Sequence, residues 1–235
     1  MIYQFESRVR YSEIDREQKL TLPSIINYFQ DCSTFHSEAI GLGIENLAKK
    51  KRAWVLSSWQ IVLERIPIFA EKIQVQTWPY DFKGFYGYRN FALLDEKGKK
   101  LAYANSVWVF MDLESGRPTK VSQEEIAGYV LEERLDMEYA PRKLPIPKEC
   151  VRMEPRQVQK NQLDTNDHVN NGQYVRLAHE CLPEGYTIRQ MRAEYKKAAH
   201  LHDVMIPWVH EEKGTYTVAL CDESDNPYAV VMFEQ

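Results

Sequence analysis

Asp164, Asn166 and His168 stand two residues apart in the stretch L-D-T-N-D-H-V-N-N-G that begins at Leu163. A carboxylate, an amide and an imidazole together are suited to activating water against a carbonyl. If the segment is extended, all three side chains project to one face, because side-chain direction alternates along a strand. Asp164 or His168 can take the proton, and Asn166 can orient the water or donate to the oxyanion. Asn170 and Asn171 follow and can cap a helix. A helix start offers further unpaired N–H groups to the developing charge. The same letters also fit an Asn-rich turn in which Asp and His satisfy only local backbone. Spacing serves both readings.

Other candidates are weaker. His179 and Cys181 lie two apart on an expected helix, where such neighbours do not face each other. His200-x-His202-Asp203 offers two metal-type ligands without a clear third or fourth, and reads as an exposed strand end. The four cysteines, Cys32, Cys150, Cys181 and Cys221, show no C-x-x-C spacing, so free thiols are expected. Phosphate-binding, dinucleotide-binding and G-x-S-x-G signatures are absent, and neither cofactor nor metal is expected.

The elements that must position these residues are legible from periodicity. Residues 4–10 alternate as a strand. Ile25, Tyr28, Phe29, Cys32, Phe35 and Ala39 then form an apolar stripe at helical steps, with His36 beside it. Thr21 or Ser24 can cap its start, and Gly41 and Gly43 can stop it. Residues 54–64, 71–78, 84–94 and 100–111 read as strands, which suggests a sheet packed on a helix, an α+β arrangement. Ser122-Gln123-Glu124-Glu125 is a capping box, predicting a helix to about Leu135. Pro141, Pro145, Pro147 and Pro155 mark residues 139–155 as an extended linker. After it the plan repeats: strand 151–159, a short helix near 171–181, and strands near 187–196, 203–210, 214–222 and 228–234.

A shift of 149 residues aligns the two parts. Val9 meets Val158, Ile14 meets Leu163, Asp15 meets Asp164, Leu20 meets Val169, and Cys32 meets Cys181. With small gaps, Tyr103-Ala104 meets Tyr228-Ala229. This is the mark of a tandem duplication. The copies differ where chemistry is possible: Glu17 and Lys19 become Asn166 and His168.

Composition bounds the rest. The 235 residues carry a net charge of -4, all of it in residues 151–235. No basic excess marks a nucleic-acid binder. No apolar run is long enough to span a membrane. The N-terminus shows no secretory pattern, so a cytoplasmic location is expected. The single basic run, Lys49-Lys50-Lys51-Arg52, reads as a solvated loop or as a docking patch for an acidic partner.

The stretch from Leu163, followed by E-C-L-P from Glu180, resembles the signature of the acyl-acyl carrier protein thioesterases, in their bacterial branch. The segments from Tyr11 and from Arg52 (R-A-W-V-L-S-S-W-Q) resemble that family's first repeat. The resemblance implies a tandem, or double, hotdog fold, with antiparallel sheets each wrapped around a long helix. It places an acyl-pocket repeat with its trailing helix at 1–138, a linker at 139–155 and a catalytic repeat at 156–235. It implies hydrolysis of fatty acyl thioesters on carrier-protein phosphopantetheine, with an acyl-CoA thioesterase or a non-catalytic acyl-binding module as alternatives. Carried over by position, Asp164, Asn166 and His168 are the catalytic set. Ile25, Phe29, Trp54, Trp59 and Asn171 are expected to contact substrate, and Lys49–Arg52 to dock the carrier protein. A monomer or a homodimer is compatible with it. One departure stands out: Ala198 and Ala199 occupy places where relatives hold a Glu and, in plants, a Cys. Glu194 and Asp203 are the acidic residues nearby that could substitute.

Overall fold

A computed structural model describes residues 1–235. Contacts group the chain into two units, Met1–Ser57 with Leu63–Tyr139, and Ser58–Val62 with Ala140–Gln235.

The first unit opens with β1 (Tyr3–Arg8) and a 3-10 turn at Tyr11–Glu13. Helix α1 (Leu22–Ala39) follows. Thr21 caps it by accepting from Ser24 N, and Pro23 suits the first turn, where its missing N–H is not needed. The helix buries Leu22, Ile25, Ile26, Tyr28, Phe29, Cys32, Ser33 and His36. The stripe is therefore rotated from the predicted one. His36 faces inward, whereas Phe35 is 45% exposed and only leans edge-on against Phe5. Gly41 leaves the helix at φ +74, and the short α2 (Ile44–Lys49) comes next. Four long strands complete the unit: β2 (Arg52–Leu63), β3 (Lys72–Lys83), β4 (Tyr86–Asp95) and β5 (Lys100–Asp112). The strand order is β1-β3-β4-β5-β2, and the β1–β3, β3–β4 and β4–β5 pairs are antiparallel. The two-residue β6 (Arg117–Pro118) pairs with the end of β5.

The helix predicted to reach Leu135 is only one turn, α3 (Gln123–Ile126). Its capping box forms as expected, but the chain beyond it has stronger partners on the sheet. Glu132 N donates to Pro79 O, Trp78 Nε1 to Glu133 O, and Leu135 N to Asn90 Oδ1, so residues 127–139 run as an extended strap.

The second unit repeats the order with shorter parts. The single strand predicted at 151–159 is two fragments, β7 (Val151–Arg152) and β8 (Arg156–Gln157), because Pro155 interrupts the ladder. A 3-10 turn at Lys160–Gln162 precedes α4 (Asn171–His179), the short helix expected near 171–181 and half the length of α1. Then come β9 (Gln190–Tyr195), β10 (Val204–Glu212), β11 (Thr215–Cys221) and β12 (Pro227–Glu234). The order is β8-β10-β11-β12-β9, with β7 also on β10. Strand for strand this is the first unit's topology. Ser58–Val62 of β2 supplies the far neighbour of β9. The proline-rich stretch is not a free spacer, since Leu144 is buried against Ala219, Cys221 and Val230. Each unit is thus an antiparallel sheet on one helix, the hotdog architecture, in tandem. All four cysteines are free thiols.

Candidate active site

The segment Leu163–Val169 is not extended. It is a closed turn, so strand alternation does not bring its polar side chains together. The Asp164 carboxylate does. Its Oδ1 accepts from Asn166 N (2.8 Å) and from His168 N (3.2 Å). Asp164 N donates to His168 O (2.7 Å), and Leu163 and Val169 bridge the base. Asp167 takes φ +58 to close the loop, a conformation Asp tolerates better than most residues. Asp164 and His168 are half-buried and Asn166 is exposed.

The first unit builds the same turn 149 residues earlier. Asp15 Oδ1 accepts from Glu17 N (2.8 Å) and Lys19 N (3.0 Å), Asp15 N donates to Lys19 O, and Gln18 takes φ +62. Two hairpin turns do likewise. Asp95 Oδ1 accepts from Lys97 N and Lys99 N, and Asp222 Oδ1 from Ser224 N and Asn226 N. Asp164 thus satisfies local backbone, and both of those bonds fall on one carboxylate oxygen, Oδ1.

Asn170 caps α4, accepting from Gly172 N at 2.9 Å through Oδ1 and from Gln173 N at 2.9 Å through its carbonyl. The first amides of the helix are thus already engaged, contrary to the expectation that they wait for an oxyanion. Asn171 begins α4, and its carbonyl accepts from the Tyr195 hydroxyl (3.1 Å).

Both acidic substitutes proposed for the residue at Ala198 are committed elsewhere. Glu194 is 5% exposed, and its Oε2 accepts from Leu144 N (2.9 Å) and pairs with Lys196 Nζ (2.9 Å). Asp203 accepts from His200 N (2.9 Å) and bonds the Tyr228 hydroxyl. His200 stands on a turn, not a strand end, and its ring packs edge-on against His168, centroids 4.8 Å apart and planes at 75°. Sequence reasoning passed over this contact. The available signal was the duplication, extended across the gap to the loop after β9.

Among the expected substrate contacts, Ile25 and Phe29 are fully buried in the first unit, and Phe29 packs on Phe91 at 5.1 Å. Trp54 packs on Phe110 (4.7 Å) and Phe82 (5.8 Å), over Gly87. Any Cβ at Gly87 would sit 2.9 Å from the indole. Trp59 is buried in the stretch grouped with the second unit. The basic run is matched by carboxylates of its own unit: Lys49 with Glu45 (2.7 Å), Lys50 with Glu124 (2.5 Å), Lys51 with Glu114, and Arg52 with Asp112 (2.6 Å).

A duplicated hotdog with a carboxylate–amide–imidazole turn before the second helix defines a class: the tandem hotdog proteins. The acyl-ACP thioesterase N-terminal domain model matches residues 1–129, and the C-terminal domain model matches residues 147–226. The chain belongs to the acyl-ACP thioesterase family. It is 26% identical over 218 residues to a palmitoyl-acyl carrier protein thioesterase, chloroplastic, of Gossypium hirsutum, an alignment covering 84% of this chain and 52% of that protein. The chain spans about half the length of the curated relatives it matches. An acyl-ACP thioesterase from Bacteroides thetaiotaomicron shares the structure at TM-score 0.91 and 25% identity, over 99% of this chain and 97% of that one. A 12:0-ACP thioesterase from Umbellularia californica shares the fold at TM-score 0.86 and 20% identity, over 99% of this chain and 96% of that one. No helix is long and apolar enough to cross a membrane.

Proposed function

We propose that the chain hydrolyses fatty acyl thioesters on acyl carrier protein, releasing the fatty acid and the phosphopantetheine thiol. One observation carries the reading beyond family membership. The two units build one turn twice, and only the second carries an amide and an imidazole, Asn166 and His168, at the positions flanking its tip.

In this reading Asp164 activates water, or attacks the thioester directly. Its carboxylate is held by two backbone N–H bonds, both on Oδ1, which fixes its plane without consuming Oδ2. Asn166 and His168 hold the attacking group and polarise the thioester carbonyl. Water adds to that carbonyl, and the tetrahedral intermediate collapses by expelling the thiolate. The proton taken from water returns to the thiolate, so thioester and water leave as acid and thiol. The proposed acyl contacts are Ile25, Phe29, Trp54, Trp59 and Asn171. Lys49, Lys50, Lys51 and Arg52 are proposed to dock the carrier protein. The Lys49–Glu45 and Lys51–Glu114 pairs are exposed, and such pairs are worth no more than about 1 kcal/mol each, so an acidic partner can exchange them.

The test is thiol release from acyl carrier proteins loaded with short to long chains, beside the same acyl groups on CoA. The expected result is turnover with a higher kcat/KM on carrier protein, abolished in Asp164→Ala. Preference for CoA would move the substrate to the CoA thioester. Binding without turnover at high enzyme concentration would replace hydrolysis with acyl capture.

A further inference from the structure

The turn carrying His168 is laced to a second loop. Val169 N donates to Ala199 O (2.9 Å), and Ala199 N donates to the Tyr174 hydroxyl of α4 (2.8 Å). His202 N and Val158 O then pair at 3.2 Å, and Val158 N donates to Asp203 O (2.8 Å). His200 is clamped inside this loop, its N–H on the Asp203 carboxylate and its carbonyl accepting from Asp203 N (3.1 Å).

The first unit contains the same lacing. Leu20 N donates to Pro67 O (2.9 Å), and Ala70 N to Val9 O (3.0 Å). Ile68 N donates to the Glu71 carboxylate (3.1 Å) and Ile68 O accepts from Glu71 N (3.1 Å). Ala70 and His202 share a positive φ, +65 and +71. This equates Ile68 with His200, as the turn equates Lys19 with His168. In the first unit Lys19 and Ile68 are bridge partners. The duplication therefore holds one facing pair in both units: lysine with isoleucine in one, two imidazoles in the other.

We propose that His200 is the positioning residue for His168, replacing by ring packing the carboxylate that relatives place at Ala198. The proposal rests on the thioesterase reading of the Asp164 turn. The backbone bonds fix where His168 leaves the turn but not how its ring rotates. An edge-on imidazole at 4.8 Å does fix it, within the ordinary range for aromatic pairs. It does so without a hydrogen bond, leaving the His168 nitrogens to substrate and water. A contact of this kind is worth about 0.5–1.5 kcal/mol, which corresponds to about a two- to tenfold effect on rate.

Three measurements on the full chain test this. His200→Ala is expected to lower kcat about three- to tenfold with KM within twofold. His200→Phe, which keeps the ring and loses the nitrogens, is expected to restore kcat to within about twofold of wild type with an unchanged pH profile. Side-chain NMR of His168 is expected to show a ring-current shift that is lost in His200→Ala and kept in His200→Phe. Full kcat in His200→Ala would overturn the proposal, and so would His200→Phe falling as far as His200→Ala. If the wild type turns over no thioester, the functional reading fails, yet the NMR shift still decides whether the rings are packed.

Discussion

Asp164 holds its own turn together and is also the group proposed to activate water, so its removal confounds two effects. The duplication supplies the control. Asp15→Asn and Asp164→Asn weaken the same pair of backbone bonds in equivalent turns. Both variants are expected to shift the unfolding midpoint by a similar few degrees. Only Asp164→Asn is expected to lower kcat, by at least about a hundredfold, the usual weight of a positioned acid or base. Equal activity in the two variants would remove Asp164 from the chemistry. A second residue-scale consequence lies far from the turn. Arg89 is 7% exposed, and its Nη1 lies 3.0 Å from His36 Nδ1 and donates to Thr77 Oγ1 (3.2 Å). A guanidinium only donates, so Nδ1 must accept and the ring must be neutral. Burial first, then the Arg89 charge and the N-terminal amine, push the His36 pKa down to about 4. The unfolded chain therefore binds this proton first as pH falls. His36's contribution to stability is full above about 6.5, declines between 6.5 and 4, and is gone below 4. Urea midpoints at pH 7 and pH 4.5 should differ more for wild type than for His36→Asn, whose amide oxygen keeps accepting without titrating.

Period-two strands and the capped, Pro-started α1 were readable because each depends on local chemistry: β-branched alternation, Thr21, Gly41. What the letters concealed depended on partners distant in sequence. The capping box at Ser122 promised several turns, but Asn90, Pro79 and Trp78 draw the following residues into a strap. His36 and Phe35 exchange faces because Arg89 offers the imidazole a buried donor. The Asp164 turn was legible by composition and not by shape, since an Asx-closed loop and a strand can carry the same alternation of polar residues. His200 was hidden because its partner is 32 positions away and its own turn resembled a metal pair. Two element-scale predictions follow from the packing. Gly87→Ala drives a methyl into Trp54 and should destabilise by about 1–3 kcal/mol in urea, the usual effect of overpacking. Asn170→Ala removes the α4 cap and should cost about 1 kcal/mol in the same assay.

Across the whole molecule, the duplication accounts for 235 residues as one topology used twice, strand order included. The copies are unequal: α4 has 9 residues where α1 has 18. The boundary is also unequal, because Ser58–Val62 pairs with β9 and groups with the second unit. Expressed alone, residues 140–235 would therefore present the β9 edge without its partner, and unpaired edges associate. Size-exclusion chromatography of that fragment should show oligomers or aggregate, and a monodisperse fragment would show that β9 tolerates an open edge.

The Asx-closed turn occurs at Asp15, Asp95, Asp164 and Asp222, with Glu and Lys, Lys and Lys, Asn and His, or Ser and Asn at its second and fourth following positions. The bonds common to all four turns use main chain or the one aspartate, so the shape does not depend on which side chains stand at those two positions. Such a loop is a socket. One copy can therefore display an amide and an imidazole where the other displays a carboxylate and an amine, on the same backbone.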